Sequence, residues 1–313
     1  MTNPESNIVL TCIAHGATID NATIFKSING ILQNQINEST VIDTKTLSVR
    51  AFDIYIHTMI PVSALKTLFV FEDVDVIVQH NDVYRQNKKL FVFDMDSTLI
   101  YQEVIELIAS YANVEDQVRE ITNRAMNNEI DFKESLRERV KLLTGLRIDT
   151  LYDKIKLQLR ITNGVKELCQ FLKVKGCKLA VLSGGFIQFA TFIKDQLEFD
   201  FAKANLLEMD SNGNLTGNVL GEIVDGQCKA DTLKQLCKEY NVKIEESCMV
   251  GDGGNDLPAM GTAGFGIAWN AKPKVQEVAP CKLNTDSLRD VLYILGYTDD
   301  EIKSTTTTTT TTI

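Results

Sequence analysis

The sequence predicts an α/β protein in which a parallel sheet presents reactive groups at the carboxyl ends of its strands, and three segments carry that prediction. Lys89-Leu90-Phe91-Val92-Phe93-Asp94-Met95-Asp96-Ser97-Thr98-Leu99 is an apolar run that ends in two carboxylates one residue apart. Lys178-Leu179-Ala180-Val181-Leu182 leads into Ser183-Gly184-Gly185, and Ser247-Cys248-Met249-Val250 leads into Gly251-Asp252-Gly253-Gly254-Asn255-Asp256. Short, uninterrupted apolar runs are the pattern of strands covered on both faces, and in open α/β sheets ligands bind beyond the carboxyl ends of such strands.

Each run ends in groups suited to one chemistry. Two close carboxylates repel and persist as a pair when a cation or shared proton offsets the repulsion, so Asp94 and Asp96 suit a hard divalent ion such as Mg²⁺. The plainer alternative is a turn in which Asp96 and Ser97 cap the next helix. Ser183-Gly184-Gly185 offers a hydroxyl and two residues without Cβ, which lets backbone N–H groups approach a phosphate, although Ser-Gly-Gly is also a common turn. Asp252 would complete a metal shell that Asn255 and Asp256 orient. Asp225-Gly226-Gln227-Cys228-Lys229 precedes an amphipathic segment, Thr232 to Tyr240. A lone lysine is ordinarily a solvated charge, but Lys229 here could aim a compact cation at a phosphoryl group.

Between the first and second runs, from Glu103 to about Leu159, apolar residues recur at helical spacing: Val104, Ile105, Leu107 and Ile108, then Val118, Ile121 and Ala125, then Phe132, Leu136, Val140 and Leu143. This stretch reads as a helical cap inserted after the first strand. Asn113, Asn127-Asn128 and Gly145 separate its helices, and Asp131 followed by Glu134 reads as a capping box. Its charges, Lys133, Glu103 and Arg139 among them, are surface charges by default.

In this order the four segments resemble the haloacid dehalogenase superfamily of phosphohydrolases, and their wording is similar to that of its phosphoserine-hydrolysing members over about residues 86–298. The resemblance implies a doubly wound, Rossmann-like parallel-sheet core over 87–298 with the cap at about 103–160. It implies that Asp94 is the nucleophile that becomes an aspartyl phosphate and that Asp96 is the general acid and base. Asp94, the backbone carbonyl of Asp96, and Asp252 would hold Mg²⁺; Ser183, Gly184 and Lys229 would bind the phosphoryl oxygens, with Asn255 at the substrate and Asp256 in support. The family's partners for the substrate ammonium and carboxylate fall on Glu103 and Arg139, with Met126 and Phe132 walling the pocket. The expected reaction is hydrolysis of O-phospho-L-serine to L-serine and phosphate, the last step of L-serine biosynthesis. Two other readings stay open: a phosphatase or phosphotransferase of the same superfamily acting on another small phosphomonoester, and an amino-acid-sensing regulatory protein.

Composition agrees. The chain has 313 residues, 44% hydrophobic and 24% charged, enough for a sizeable core and for two domains. A net charge of −10 argues against nucleic acid or an anionic membrane as partner, and makes the phosphate site a local positive spot. The only histidines, His15, His57 and His80, all precede the first motif, which disfavours a Ser-His-Asp triad or a His-rich zinc site. The seven cysteines form no close C-x-x-C pair and read as buried reduced thiols, with Cys228 beside Lys229 as the one whose pKa a cation could lower. No signal peptide or apolar span is visible, so a cytoplasmic protein is expected, as is a possible homodimer. Asp210-Ser211-Asn212-Gly213-Asn214 imitates a calcium loop but fits a hairpin turn better.

Residues 1–86 read as a small α/β domain similar to amino-acid-binding (ACT-like) regulatory modules, or as a structural module without ligand. Strands are expected over Ile8 to Ile13, Leu47 to His57 and Val74 to Val78, and helices over Ile24 to Ile36 and Val62 to Phe71. Asn87-Lys88-Lys89 is the expected joint. Residues 299–313, with threonines from Thr305 to Thr312, read as a disordered low-complexity tail.

Overall fold

The computed structural model describes residues 6–16, 18, 20–35, 40–127 and 129–307. The chain begins with strand β1 (Ile8–Ala14), helix α1 (Asn21–Gln35), the hairpin β2 (Thr40–Ser48) and β3 (Ala51–His57), a short α2 (Val62–Leu65), and β4 (Val74–His80). These strands form an antiparallel sheet in the order β2-β3-β1-β4. The expected single strand over Leu47 to His57 is thus two arms of a hairpin. The turn at Val49-Arg50 contains no Gly, Asn or Pro, so the sequence lacks the usual turn signal there. The expected helix from Val62 is also shorter, ending at Leu65.

A second sheet follows: β5 (Leu90–Phe93); the cap helices α3 (Val104–Ala112), α4 (Glu115–Met126), α5 (Phe132–Leu142) and α6 (Tyr152–Lys156); then α7 (Val165–Val174), β6 (Lys178–Phe186), α8 (Ile187–Leu197), β7 (Phe201–Met209) and β8 (Leu215–Leu220). After these come α9 (Gly226–Glu239), β9 (Ser247–Gly251), α10 (Leu257–Thr262), β10 (Phe265–Trp269), α11 (Pro273–Val278), β11 (Lys282–Leu283), α12 (Val291–Ile294) and α13 (Asp299–Thr307). The sheet has seven strands in the order β11-β10-β9-β5-β6-β7-β8, parallel except for the β7–β8 hairpin. The turn of that hairpin is the Asp210 to Asn214 segment, where the Asp210 carboxylate accepts from the Asn212 and Asn214 N–H groups.

Alternate residues of the central strands face opposite layers. Phe91, Phe93, Leu179 and Val181 pack with Leu168, Phe171 and Phe189 of α7 and α8, while Leu90, Val92, Ala180 and Leu182 pack with Leu233 and Leu236 of α9 and Met260 of α10. That division makes the sheet doubly wound. The chain leaves β5 for β6 on one side and returns to β9 on the other, so β5 and β9 flank the topological switch point, where an open sheet offers its crevice. The cap's apolar stripe, including Val104, Ile108, Leu136, Val140 and Ile155, joins the first of these layers.

The N-terminal sheet is covered on both faces. Leu10, Ile54 and Ile56 pack under α1 and α2, and Ile13, Leu47, Ala51 and Ile77 join the core that holds Leu292, Tyr293 and Ile294. Arg85, buried in this contact, donates to both oxygens of Asp53 (2.9 and 2.8 Å) and to the Ile294 carbonyl (3.0 Å). Lys88 and Lys89 at the joint are pinned by the carbonyls of Glu245 and Glu246.

The expected tail differs in part. Helix α13 runs into the threonines as far as Thr307, with Ile302 buried in the core and Glu301 closing a cap on Thr298. Thr308 to Thr312 lie outside the described residues.

Candidate active site

The register of three adjacent strands assembles the site. Phe93 of β5 lies opposite Val181 of β6 and Val250 of β9, so the residues just beyond these positions, Asp94, Ser183-Gly184 and Asp252, gather at one end of the sheet. Asp94 is buried, and its Oδ1 accepts from the Met95 N–H at 2.7 Å, fixing the carboxylate at the mouth of an unusual five-residue turn, Met95–Leu99. Ser97 in that turn has φ of 52°, a left-handed conformation rarely adopted by a residue with a Cβ, and its Oγ donates to Glu103 at 2.7 Å.

Lys229 reaches the same point from the first turn of α9. It is fully buried, with Nζ 2.9 Å from Asp94 Oδ1 and 2.6 Å from Asp256 Oδ1. The second oxygen of Asp256 accepts from Gly253 N–H at 3.0 Å, and Asp252 Oδ1 accepts from Thr98 Oγ1 at 3.0 Å. Ligand oxygens of Asp94, Asp252 and Asp256 lie within 4.8 Å of one another. All-carboxylate donors of this kind suit a hard cation, so the three aspartates could hold a metal.

The electrostatics of the cluster would favour a bound cation. Burial, then Asp256, hold the Asp94 carboxyl well above the usual carboxylate range despite the opposing pull of Lys229. Burial, then Glu103 and Asp94, do the same to Asp96. Asp252 is pushed up to about 7 by burial and Asp256. Lys229 is held charged by Asp256 and Asp94 against the cost of its own burial. One ammonium facing three carboxylates leaves an excess of negative charge that a divalent ion would neutralise.

Ser183 and Gly184 form the opposite wall. Ser183 is fully buried and its Oγ accepts from the Gly185 N–H at 2.9 Å. The Gly184 carbonyl accepts from Asn205 Nδ2 at 2.8 Å, and Asn205 Oδ1 accepts from the Val224 N–H at 2.8 Å. A Cβ on Gly184 would stand 2.7 Å from Phe132 Cζ and 3.4 Å from Asn255 Nδ2. A side chain at 184 would therefore press on the cap ring where it meets the strand end, and Asn255 lies at the same wall.

The cap supplies the remaining groups. Asp131 and Glu134 form the expected capping box at the start of α5, with bonds of 2.8 and 3.1 Å. Phe132 and Arg139, seven residues apart, share one face of that helix. Arg139 Nε donates to the Ser135 carbonyl at 3.3 Å; burial lowers the guanidinium below its ordinary value, with Glu103 and Asp96 pulling the other way. Burial raises the Glu103 carboxyl, while Ser97, Lys272 and Arg139 pull it down. Asp96 Oδ1 accepts from the Val104 N–H at 3.3 Å, so it also steadies the start of α3. Two open cavities flank the cleft. One of about 490 Å³ is lined by Ser97, Tyr101 and Asp286 among others, and one of about 360 Å³ by Tyr101, Glu103 and Arg119.

Asp94, Asp96, Glu103, Phe132, Arg139, Ser183, Gly184, Lys229, Asp252, Asn255 and Asp256 thus lie around one cleft; the side chain of Met126, the last residue of α4, lies outside the described part of the structure. Cys228 departs from expectation. It lies beside Lys203 and Glu222 rather than beside the Lys229 ammonium, and burial raises its thiol pKa instead of lowering it. All seven cysteines are buried and free. Sequence reasoning missed Ser97, Thr98, Asn205 and Lys272. A hydroxyl pair directly after Asp-x-Asp could have signalled the first two, whereas Asn205, on β7, carries no local mark.

Comparison with known proteins gives the family. Residues 88–264 match the haloacid dehalogenase-like hydrolase family. The chain is 66% identical over 304 residues to a phosphoserine phosphatase of Saccharomyces cerevisiae, covering 95% of this chain and 98% of that protein. A solved phospho-aspartyl intermediate analogue of phosphoserine phosphatase superposes with a TM-score of 0.62 at 39% identity, covering 66% of this chain and 98% of that one. The unliganded probable phosphoserine phosphatase of Vibrio cholerae gives a TM-score of 0.68 at 32% identity, over 100% of this chain and 92% of that one. No helix among the described residues is long and apolar enough to cross a membrane. By the match of its sequence, its fold and the groups gathered at its strand ends, the chain belongs to the phosphoserine phosphatases of the haloacid dehalogenase-like hydrolase family.

Proposed function

We propose that this chain hydrolyses O-phospho-L-serine to L-serine and phosphate through an aspartyl phosphate on Asp94, as the cytoplasmic last step of L-serine biosynthesis. The observation that carries the reading is the pairing of Asp94 with the buried ammonium of Lys229, 2.9 Å away, next to the Ser183-Gly184 wall and beneath Arg139 and Glu103. A carboxylate can attack phosphorus and split one difficult transfer into two easier ones. Lys229 and the Ser183 hydroxyl neutralise the phosphoryl oxygens as charge shifts during transfer.

Asp96 serves both half-reactions. Kept protonated by burial and by Glu103, it gives its proton to the serine oxygen as the P–O bond breaks. It then takes a proton from the water that attacks the phosphorus of the aspartyl phosphate, which returns Asp94 as a carboxylate and releases phosphate. Arg139 suits the substrate carboxylate by its planar fork, and Glu103 suits the ammonium. Phe132, against Gly184, excludes water from the phosphoryl side.

Asp94 and Asp252, with the backbone carbonyl of Asp96, would hold Mg²⁺, while Asp256, whose two oxygens are engaged by Lys229 and Gly253, would orient the set. Mg²⁺ bound there supplies positive charge to the transferring phosphoryl group. The test is phosphate release across a panel of phosphomonoesters with and without Mg²⁺. Phosphoserine should be the best substrate and the reaction should need the metal. A panel in which phosphoserine is no better than phosphoesters lacking an amine and a carboxylate would overturn the reading.

A further inference from the structure

Asp94, Ser183, Lys229 and Asp256 are buried at the sheet end, where Phe132 of the cap approaches Gly184. The chain crosses between the two at Tyr101 to Glu103 and again near Arg160, where the Tyr101 N–H donates to the Arg160 carbonyl and Arg160 lies over the Tyr101 ring. These two crossings are the covalent joints between the cap and the sheet domain. On the α5 side, next to Phe132, Lys133 Nζ lies 3.0 Å from Asp225 Oδ2. Lys133 belongs to the cap; Asp225 belongs to the sheet domain and caps the helix that carries Lys229, its Oδ1 accepting from the Cys228 N–H at 2.9 Å.

Two features mark this contact as more than a surface pair. Lys133 stands in the first turn of α5, where the helix dipole disfavours a cation, so its own helix gives no reason for it. Asp225 is already held by its capping bond, so docking the lysine orders one side chain rather than two. We propose that Lys133 and Asp225 form a latch that holds the cap shut over the reaction centre, with Lys133 as a positioning residue; this rests on the catalytic reading given above. The latch stands beside the contact of Phe132 with Gly184, and it ties closure to the helix that aims Lys229.

The test uses Lys133→Met, which keeps the aliphatic stem, Asp225→Asn, which keeps a capping side chain, the double variant, and Lys133→Arg. With phosphoserine and Mg²⁺, each of the first two should raise KM about two- to fivefold with little change in kcat, and the double variant should be no worse than the worse single one. Lys133→Arg should stay close to wild type. Hydrogen exchange of the amides over residues 132–137 should quicken in Lys133→Met and not in Lys133→Arg. Unchanged KM and exchange, or single effects that add in the double variant, would overturn the latch. Should the wild type fail to hydrolyse phosphoserine, the catalytic reading falls while the exchange experiment still decides whether the latch exists.

Discussion

Replacing Lys229 by Met separates the electrostatic role of this residue from its packing. The side chain is fully buried, and its ammonium is 2.9 Å from Asp94 and 2.6 Å from Asp256. Met fills most of the same volume, so what is lost is the charge. Removing one partner of a buried ion pair costs about 3 to 5 kcal/mol, because the carboxylates left behind are unpaired and dry. At about 2 to 4 °C per kcal/mol for domains of 150 to 250 residues, the variant should melt roughly 6 to 20 °C below wild type. The sign with pH follows. Without Lys229 the folded-state value of Asp94 rises further above the unfolded carboxylate value, so the stability lost grows as pH rises and shrinks as this group takes up its proton. Thermal melts without divalent ions, at about pH 7.5 and about pH 5, should show the larger deficit at the higher pH. Added Mg²⁺ should restore part of the stability and none of the turnover. An unchanged melting temperature at the higher pH would refute the claim that Lys229 neutralises the carboxylate cluster.

Other outcomes follow from the same geometry. Arg139→Lys and Arg139→Ala should cost about ten- to a hundredfold in kcat/KM for phosphoserine and much less for a small phosphoester without amine or carboxylate; equal losses on both would remove Arg139 from recognition. Gly184→Ala would put a methyl 2.7 Å from Phe132 Cζ, and overpacking of about 1 to 3 kcal/mol should raise KM about five- to a hundredfold, with partial rescue by Phe132→Leu. An unchanged KM would show that the ring and strand end need not meet. Burial raises the folded-state Asp252 carboxyl from its ordinary value to about 7, so its contribution to stability is present below about pH 4 and lost as pH rises through 7. Wild type without metal should therefore lose stability relative to Asp252→Asn over that range, and Mg²⁺ should stabilise wild type more at about pH 8 than at about pH 5.5. A flat difference would show that Asp252 is not held protonated.

The parts of the site at strand ends were legible in the sequence because each follows an apolar run. Asp94, Ser183 and Asp252 needed only the rule that a buried strand delivers its next residues to the crevice. The cap groups Phe132 and Arg139 were legible once helical spacing was read, since seven residues place them on one face. Features set by contacts between distant segments were not. Asn205, fully buried on β7, holds Gly184 through a bond visible only after β6 and β7 pair. Lys133 read as a solvated charge because its partner is 92 positions away, at Asp225. Cys228 misled for the reverse reason: its sequence neighbour Lys229 turns into the site, and the cation that reaches it is Lys203. In the N-terminal module the Val49-Arg50 turn has no turn residues, and tertiary burial of Ile302 extends a helix into threonines that composition alone would leave unstructured.

Trapping of the covalent intermediate tests the central claim most directly. Enzyme mixed with phosphoserine labelled in its phosphate, in the presence of Mg²⁺, and quenched in acid should retain label that maps to Asp94. The label should be lost on treatment with hydroxylamine, as expected of an acyl phosphate, and should be absent from Asp94→Asn, whose amide cannot attack phosphorus. Label mapped to Ser183 or to a histidine, or turnover by Asp94→Asn at the wild-type rate, would contradict the account.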